Sequence, residues 1–130
     1  KPDGKLELID LMHGDQVIVK KMGPAEVKRL SALRELRWQE YGASPSGSAS
    51  GRRVVLGKLP AKGFPPGWVW FRRDVRQADG RRFVEVRAFG LQGPASAREE
   101  WQALLVTAAE RFDRTLAVYR RILTRLGVGR

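Results

Sequence analysis

WVWFRRDVRQADGRRFVEVRAF, residues 68–89, is the stretch on which the fold turns. Two runs rich in Val, Phe and Trp flank Asp79-Gly80, and Asp-Gly between such runs is the strongest short-range signal for a β-hairpin. Side chains alternate between the faces of a strand. The first run therefore sorts into Val69, Phe71, Arg73 and Val75 on one side, and Trp68, Trp70, Arg72, Asp74 and Arg76 on the other. A two-residue Asp79-Gly80 loop sets Ala78 opposite Arg81. Phe71 then faces Ala88, Val75 faces Val84, Trp70 faces Phe89, Arg72 faces Arg87 and Arg76 faces Phe83. This register makes one side a small aliphatic core with Arg73 as its misfit. It gathers Trp68, Trp70, Phe83 and Phe89 among Arg72, Arg76 and Arg87 on the other.

A face that mixes aromatics with cations suits single-stranded nucleic acid, whose unstacked bases need flat apolar surfaces and whose phosphates need positive charge. Arg52, Arg53, Lys58, Lys62, Arg81 and Arg82 extend the positive field around it. The competing arrangement places a helix over this face, with the tryptophans in a second core and the arginines reaching past them to water. In the same register Asp74 and Glu85 lie directly opposite each other. They would either hold a divalent metal, as a nuclease requires, or pair diagonally, Asp74 with Arg87 and Glu85 with Arg72.

Working outward, RRVVLGKL (52–59) reads as a further strand, joined to the hairpin by the Pro/Gly-rich loop AKGFPPG (61–67). The stretch ASPSGSASG (43–51) has no periodicity and reads as a flexible connection. Near the start, KLELIDLMHGDQVIVKK (5–21) reads as two short β runs around a His-Gly-Asp turn. Gly23-Pro24 opens a helix whose apolar stripe is Val27, Leu30, Leu33 and Leu36 and which stops at Tyr41-Gly42. After Gly93-Pro94, Ser96 and Glu99 form a capping box for a helix that meets no breaker until Gly127. Residues 97–126 as one helix would be about 45 Å long, against a diameter of roughly 36 Å for a compact globule of this size. Trp101, Leu105, Ala108, Phe112, Thr115, Tyr119, Ile122 and Leu126 make a heptad seam along it. The expectation is that its first half packs on the domain and its second half pairs with a copy in a homodimer. An amphipathic helix lying on the sheet is the alternative. The fold class is α+β: an antiparallel sheet of three to five strands packed with helices, with a binding core over 1–96 and the long helix over 97–130.

The chain has 130 residues, 25 Lys+Arg against 14 Asp+Glu and a formal charge of +11. That length suits one domain, and such a charge points to a polyanionic partner. Residues 51–92 carry most of the excess, with 10 basic and 3 acidic groups. There is no cysteine, which excludes a disulfide framework, a thiol nucleophile and a Cys-containing zinc site. The single histidine, His13, has no identifiable partner, so no catalytic constellation assembles and neither metal nor other cofactor is implied. Asparagine is absent too, and with so many arginines this suggests a thermophilic, cytoplasmic source. No apolar run approaches the length of a membrane span and no signal-peptide pattern opens the chain. The first residue is Lys1 rather than Met, as expected of a chain lacking an initial segment.

The basic hairpin GWVWFRRDVR…DGRRFVEVRAFG, preceded by a small α/β portion and followed by one long heptad-bearing helix, resembles the ThermoDBP and ThermoDBP-related archaeal single-stranded DNA-binding proteins. The likeness is architectural and covers most of the chain. It implies an antiparallel sheet with helices, a cleft of aromatic and basic residues, and in some members a C-terminal zipper. It does not decide DNA against RNA. The expected function is sequence-independent binding of single-stranded DNA without catalysis, on the aromatic and basic hairpin positions named above. The alternative is an RNA-binding, ribonucleoprotein-assembly or protein-interaction factor that uses the hairpin face as an interface.

Overall fold

The computed structural model describes residues 5–10, 15–43, 53–57, 65–76 and 80–128. Strands β1 (Lys5–Asp10) and β2 (Asp15–Pro24) lead into helix α1 (Leu30–Ala43). Strands β3 (Arg53–Gly57), β4 (Trp68–Arg76), β5 (Arg82–Gln92) and β6 (Glu99–Ala108) follow, then one 3-10 turn (Ala109–Arg111) and helix α2 (Phe112–Leu126). All six strands join one antiparallel sheet in the order β1-β2-β6-β5-β4-β3. The α+β class expected from the sequence is the one observed, with one strand more than the upper expectation.

The additional strand comes from the segment read as the first half of the long helix. Trp101, Ala103, Leu105 and Thr107 point to one face and Glu100, Gln102, Leu104 and Val106 to the other, and β6 is hydrogen-bonded to β2 and β5 along its length. A spacing of four places two residues on the same face in a strand as well as in a helix, so Trp101 and Leu105 satisfy both periods. The step of three to Ala108 belongs only to a helix. The β-branched pair Val106-Thr107 favours the strand. Ser96 caps nothing: it lies in the turn of residues 94–97, where the Ala97 amide donates to the Pro94 carbonyl at 2.9 Å. Gly93, at φ 97°, supplies the backbone conformation that reverses the chain. Gly23-Pro24 likewise starts no helix. It ends β2 at a bulge, with Gly23 at φ 107° and Pro24 opposite Glu99, and α1 begins six residues later.

Helix α2 is therefore about 22 Å long and fits on its own domain. Its stripe of Phe112, Leu116, Tyr119 and Leu123 packs on Val17, Val19, Val84, Val86, Ala88, Ala103 and Leu105, with Trp68 and Val128 closing the far end. Gly127, at φ 68°, ends the helix in the left-handed conformation that its position predicts. The heptad seam is consumed by this packing. A homodimer joined through residues 101–126 would first have to open the core. Helix α1 lies on the opposite face, where Leu33 is buried with Val69, Phe71, Phe89 and Leu91, and Leu30 and Trp38 pack against them.

Each layer carries one buried ionic tie. On the α2 side Asp15 is 3% exposed. It accepts hydrogen bonds from Thr107 Oγ1 (2.8 Å), Thr115 Oγ1 (3.0 Å) and Arg111 Nη2 (2.9 Å). Burial alone would raise this carboxyl, but the bonds from Arg111, Thr107 and Thr115 and the Arg111 charge hold it below its ordinary value. Thr115, a polar residue in an apolar seam, is explained by this contact. Nearby, burial holds the Tyr119 phenol well above its usual range, so it stays protonated and donates to the Ala103 carbonyl at 2.6 Å. On the α1 side Arg37 grips Glu100 bidentately, Nε to Oε2 at 2.9 Å and Nη2 to Oε1 at 2.5 Å, and also reaches Glu40.

Candidate nucleic-acid interface

The β4–β5 hairpin forms as expected, but in a register shifted by one residue. Trp70 pairs with Ala88, Phe71 with Arg87, Arg72 with Val86, Val75 with Phe83 and Arg76 with Arg82. The connection between the last pair is five residues, an odd number, whereas a two-residue Asp79-Gly80 loop is even. One residue of slip exchanges the faces of a whole strand. Val84, Val86 and Ala88 therefore share a face with Trp68, Trp70, Arg72 and Arg76, under α2. Phe83, Arg87 and Phe89 go to the α1 side with Val69, Phe71 and Val75.

The mixed aromatic and basic face is thus divided between the two sides of the sheet. Trp68 is 2% exposed beneath α2 and Phe89 is 1% exposed in the α1 core, so neither offers a surface for a base. Trp70 is half-buried against the α2 core. Arg87 is half-buried on the α1 side, 3.7 Å from Glu85, beside a hollow of about 140 Å³ that it shares with Ile18, Lys20 and Leu104. Arg52, Lys58 and Lys62 lie outside the described residues, as do His13 and most of the 43–51 connection. Asp74 pairs with Val84 and Glu85 with Arg73, so the two carboxylates sit on opposite faces and the metal geometry is lost. Nor do the diagonal pairs form. Asp74 accepts from Arg72, and Glu85 from Arg87, two residues away along the same strand. Among the described residues no group of carboxylates and histidine could hold a metal ion.

The structure does bring together the hairpin tip and the start of α2. The helix begins level with Arg72. A cavity of about 300 Å³ opens there, lined by Arg72, Asp74, Val75, Arg76, Arg82, Phe83, Val84 and Ala109. A shallower hollow of about 650 Å³ adjoins it, lined by Gly80, Arg81, Arg82, Phe83, Ala108, Ala109 and Glu110. Arg72 is held in place twice. Its Nε donates to Asp74 Oδ1 at 2.8 Å, and its guanidinium lies 4.5 Å above the Phe112 ring. Arg76 and Arg82 are both exposed and directly opposite each other, and Arg53 on β3 holds the register position beside Arg76. Among the described residues neither Arg76 nor Arg82 has an acidic partner. Like charges directly across a sheet repel, so the Arg76–Arg82 pair is an unfavourable arrangement for the free protein and a favourable one around an anion.

No family model, curated protein or solved structure matches this chain. The site is therefore argued from its own residues. Four of the expected positions, Arg72, Arg76, Arg81 and Phe83, converge on the notch. Phe83 is the expected aromatic that remains half-exposed there. Arg82, expected in the outlying field, lines both hollows, and Ala109 and Glu110 form a wall because the expected mid-helix junction is a 3-10 turn. The signal available for it was Thr115: a hydroxyl in an apolar seam asks for a buried polar partner. That partner, Asp15, also fixes Arg111 and with it the turn that forms the wall.

Proposed function

We propose that this chain is a non-catalytic domain that binds single-stranded nucleic acid, with DNA the first candidate, at the notch between the hairpin tip and α2. The observation that carries this reading is the opposed pair of Arg76 and Arg82, with Arg72 beside them, around a cavity of about 300 Å³. Arginine forks bind phosphate oxygens bidentately. Phe83 lines the edge of the cavity, although its register position lies on the α1 face. A concave pocket of this size accepts an unpaired nucleotide, whereas a duplex backbone would meet only its rim. The basic outer side of α2, with Arg114, Arg121 and Arg125 exposed, continues the positive surface away from the notch. This reading agrees with the ThermoDBP-type resemblance in function while moving the contacts from the middle of the hairpin to its tip.

The test is fluorescence anisotropy with labelled single-stranded DNA, single-stranded RNA and duplex of one sequence at low salt. Single strands are expected to bind more tightly than duplex. Three phosphate contacts give a log-log salt slope of about −2, and Arg76→Ala and Arg82→Ala each weaken binding and flatten that slope. Equal affinity for duplex, or no effect of either substitution, sinks the reading.

A second reading, a protein-interaction factor, is favoured by the other face of the sheet. Beyond α1, the half-buried Ile18, Leu104 and Val106 stand beside Lys20 and Arg87. An acidic amphipathic segment of a partner protein fits that combination, and Leu104→Glu is the change that would abolish its binding.

A further inference from the structure

The notch has the charge and size for a particular phosphate. Among the described residues, its 300 Å³ cavity is lined by three guanidiniums and one carboxylate, a net charge of two positive. The carboxylate, Asp74, is already engaged by Arg72. That leaves Arg76 and Arg82, a directly opposed pair of exposed cations on neighbouring strands, to face the ligand. An internal phosphodiester carries one negative charge and two free oxygens, and its chain must enter and leave the pocket. A terminal phosphate monoester approaches two negative charges at neutral pH and presents three acceptor oxygens. It also needs only one way in. We infer that the notch is an end-binding site that takes the terminal phosphate monoester of a single strand, with Arg76 and Arg82 gripping the phosphate. This rests on the single-strand reading and narrows it from binding anywhere along the strand to binding at its phosphorylated end.

Three features support a built pocket over a diffuse positive surface. Arg72 is immobilised by Asp74 and by the Phe112 ring, so one wall is preorganised before any ligand arrives. The opposing Arg76–Arg82 pair repels in the free protein, and a dianion between the two relieves that repulsion. Ala109, on the turn anchored through Arg111 to Asp15, closes the wall opposite β4 with a small apolar residue.

The experiment compares four probes: one oligonucleotide with a 5′-phosphate, the same with a 3′-phosphate, the same with hydroxyl ends, and the matching free nucleoside monophosphate as competitor. A phosphorylated end is expected to bind about tenfold more tightly than hydroxyl ends, the scale of one added charge-assisted hydrogen bond. Arg76→Ala and Arg82→Ala should erase that difference. Arg82→Lys keeps the charge but loses the fork, and should reduce the preference for the phosphorylated end by more than it weakens binding of the hydroxyl-ended strand. Both positions are exposed, and circular dichroism confirms that the variants fold. Equal binding of all three oligonucleotides overturns the end-site proposal and leaves the single-strand reading standing. Absence of binding by every probe overturns both. Displacement of the oligonucleotide by the monophosphate at equal concentration keeps the monoester pocket but overturns its assignment to a strand end.

Discussion

On the α2 side of the sheet, a fifteen-residue helix covers β2, β6, β5 and β4 with a continuous apolar core. Its one deeply buried charge, Asp15, is satisfied by two hydroxyls and a guanidinium. On the α1 side, a helix of similar length packs on β4 and β5 and grips β6 through Arg37 and Glu100, leaving Ile18, Leu104 and Val106 half-buried beyond it. The difference teaches where function can be placed. The α2 core is closed, so its aromatics are structural, and the proposed binding falls to the rim near Arg76 and Arg82. Among the described residues the α1 face is only partly covered, held largely by the Arg37–Glu100 ion pair and a small aromatic cluster.

The comparison breaks most sharply at Arg37. Arg37→Ala strands the buried Glu100 carboxylate, and urea unfolding should show a loss of about 3–5 kcal/mol. The double change Arg37→Met with Glu100→Leu should recover most of that loss. On the other side, Asp15→Ala removes the acceptor for two buried hydroxyls and should cost about 3 kcal/mol. A larger loss at Asp15 than at Arg37 would reverse the ranking of the two ties. Asp15 also sets a pH signature. Its folded carboxyl titrates below the ordinary 3.8, so its stabilisation is complete above that value and is lost as pH falls through the folded value. Asp15→Asn should flatten the acid limb of stability measured from pH 5 downwards.

Smaller effects sharpen the contrast. A Cβ at Gly90 would lie 2.8 Å from Val128, 3.0 Å from the Trp68 ring and 3.1 Å from the Gly67 carbonyl. Gly90→Ala should therefore cost about 1–3 kcal/mol, by overpacking the end of the α2 core where Trp68 sits. If the stability of Gly90→Ala equals that of the native chain, Trp68 is not seated as described. At the rim the sign changes. Arg82→Glu replaces repulsion with attraction across β4 and β5 and should raise stability by about 0.2–1 kcal/mol while weakening binding of a single strand. A variant that loses stability and binding together would show that the arginine row supports the fold instead of serving a ligand.

Much of this was legible from local pattern. The bounds of β4, the pairing of 5–10 with 15–20, the stripe of Leu30 and Leu33 and the Gly127 stop all follow from periodicity and from conformations only certain residues adopt. The candidate site was legible in composition but not in arrangement. The arginines of 72–82 are plain in the chain, but their division between faces depends on whether the connection holds an even or an odd number of residues. That parity is decided by how β5 pairs with both β4 and β6. Trp68 and Phe89 looked like ligand surfaces because their side chains are aromatic, and they became core because a helix lies on each face.

By itself, then, the sequence determined a basic α+β domain with a hairpin at 68–89, an amphipathic helix ending at Gly127, and positive charge concentrated in the middle of the chain. Only the tertiary structure decided that 99–108 is a central strand, that the heptad seam closes the chain's own core, and that the cations meet at the hairpin tip. The reason is physical: charge and turn chemistry act over a few residues, whereas register and the identity of a covered face are set by contacts between segments far apart in the chain, such as Asp15 with Thr115 and Arg37 with Glu100.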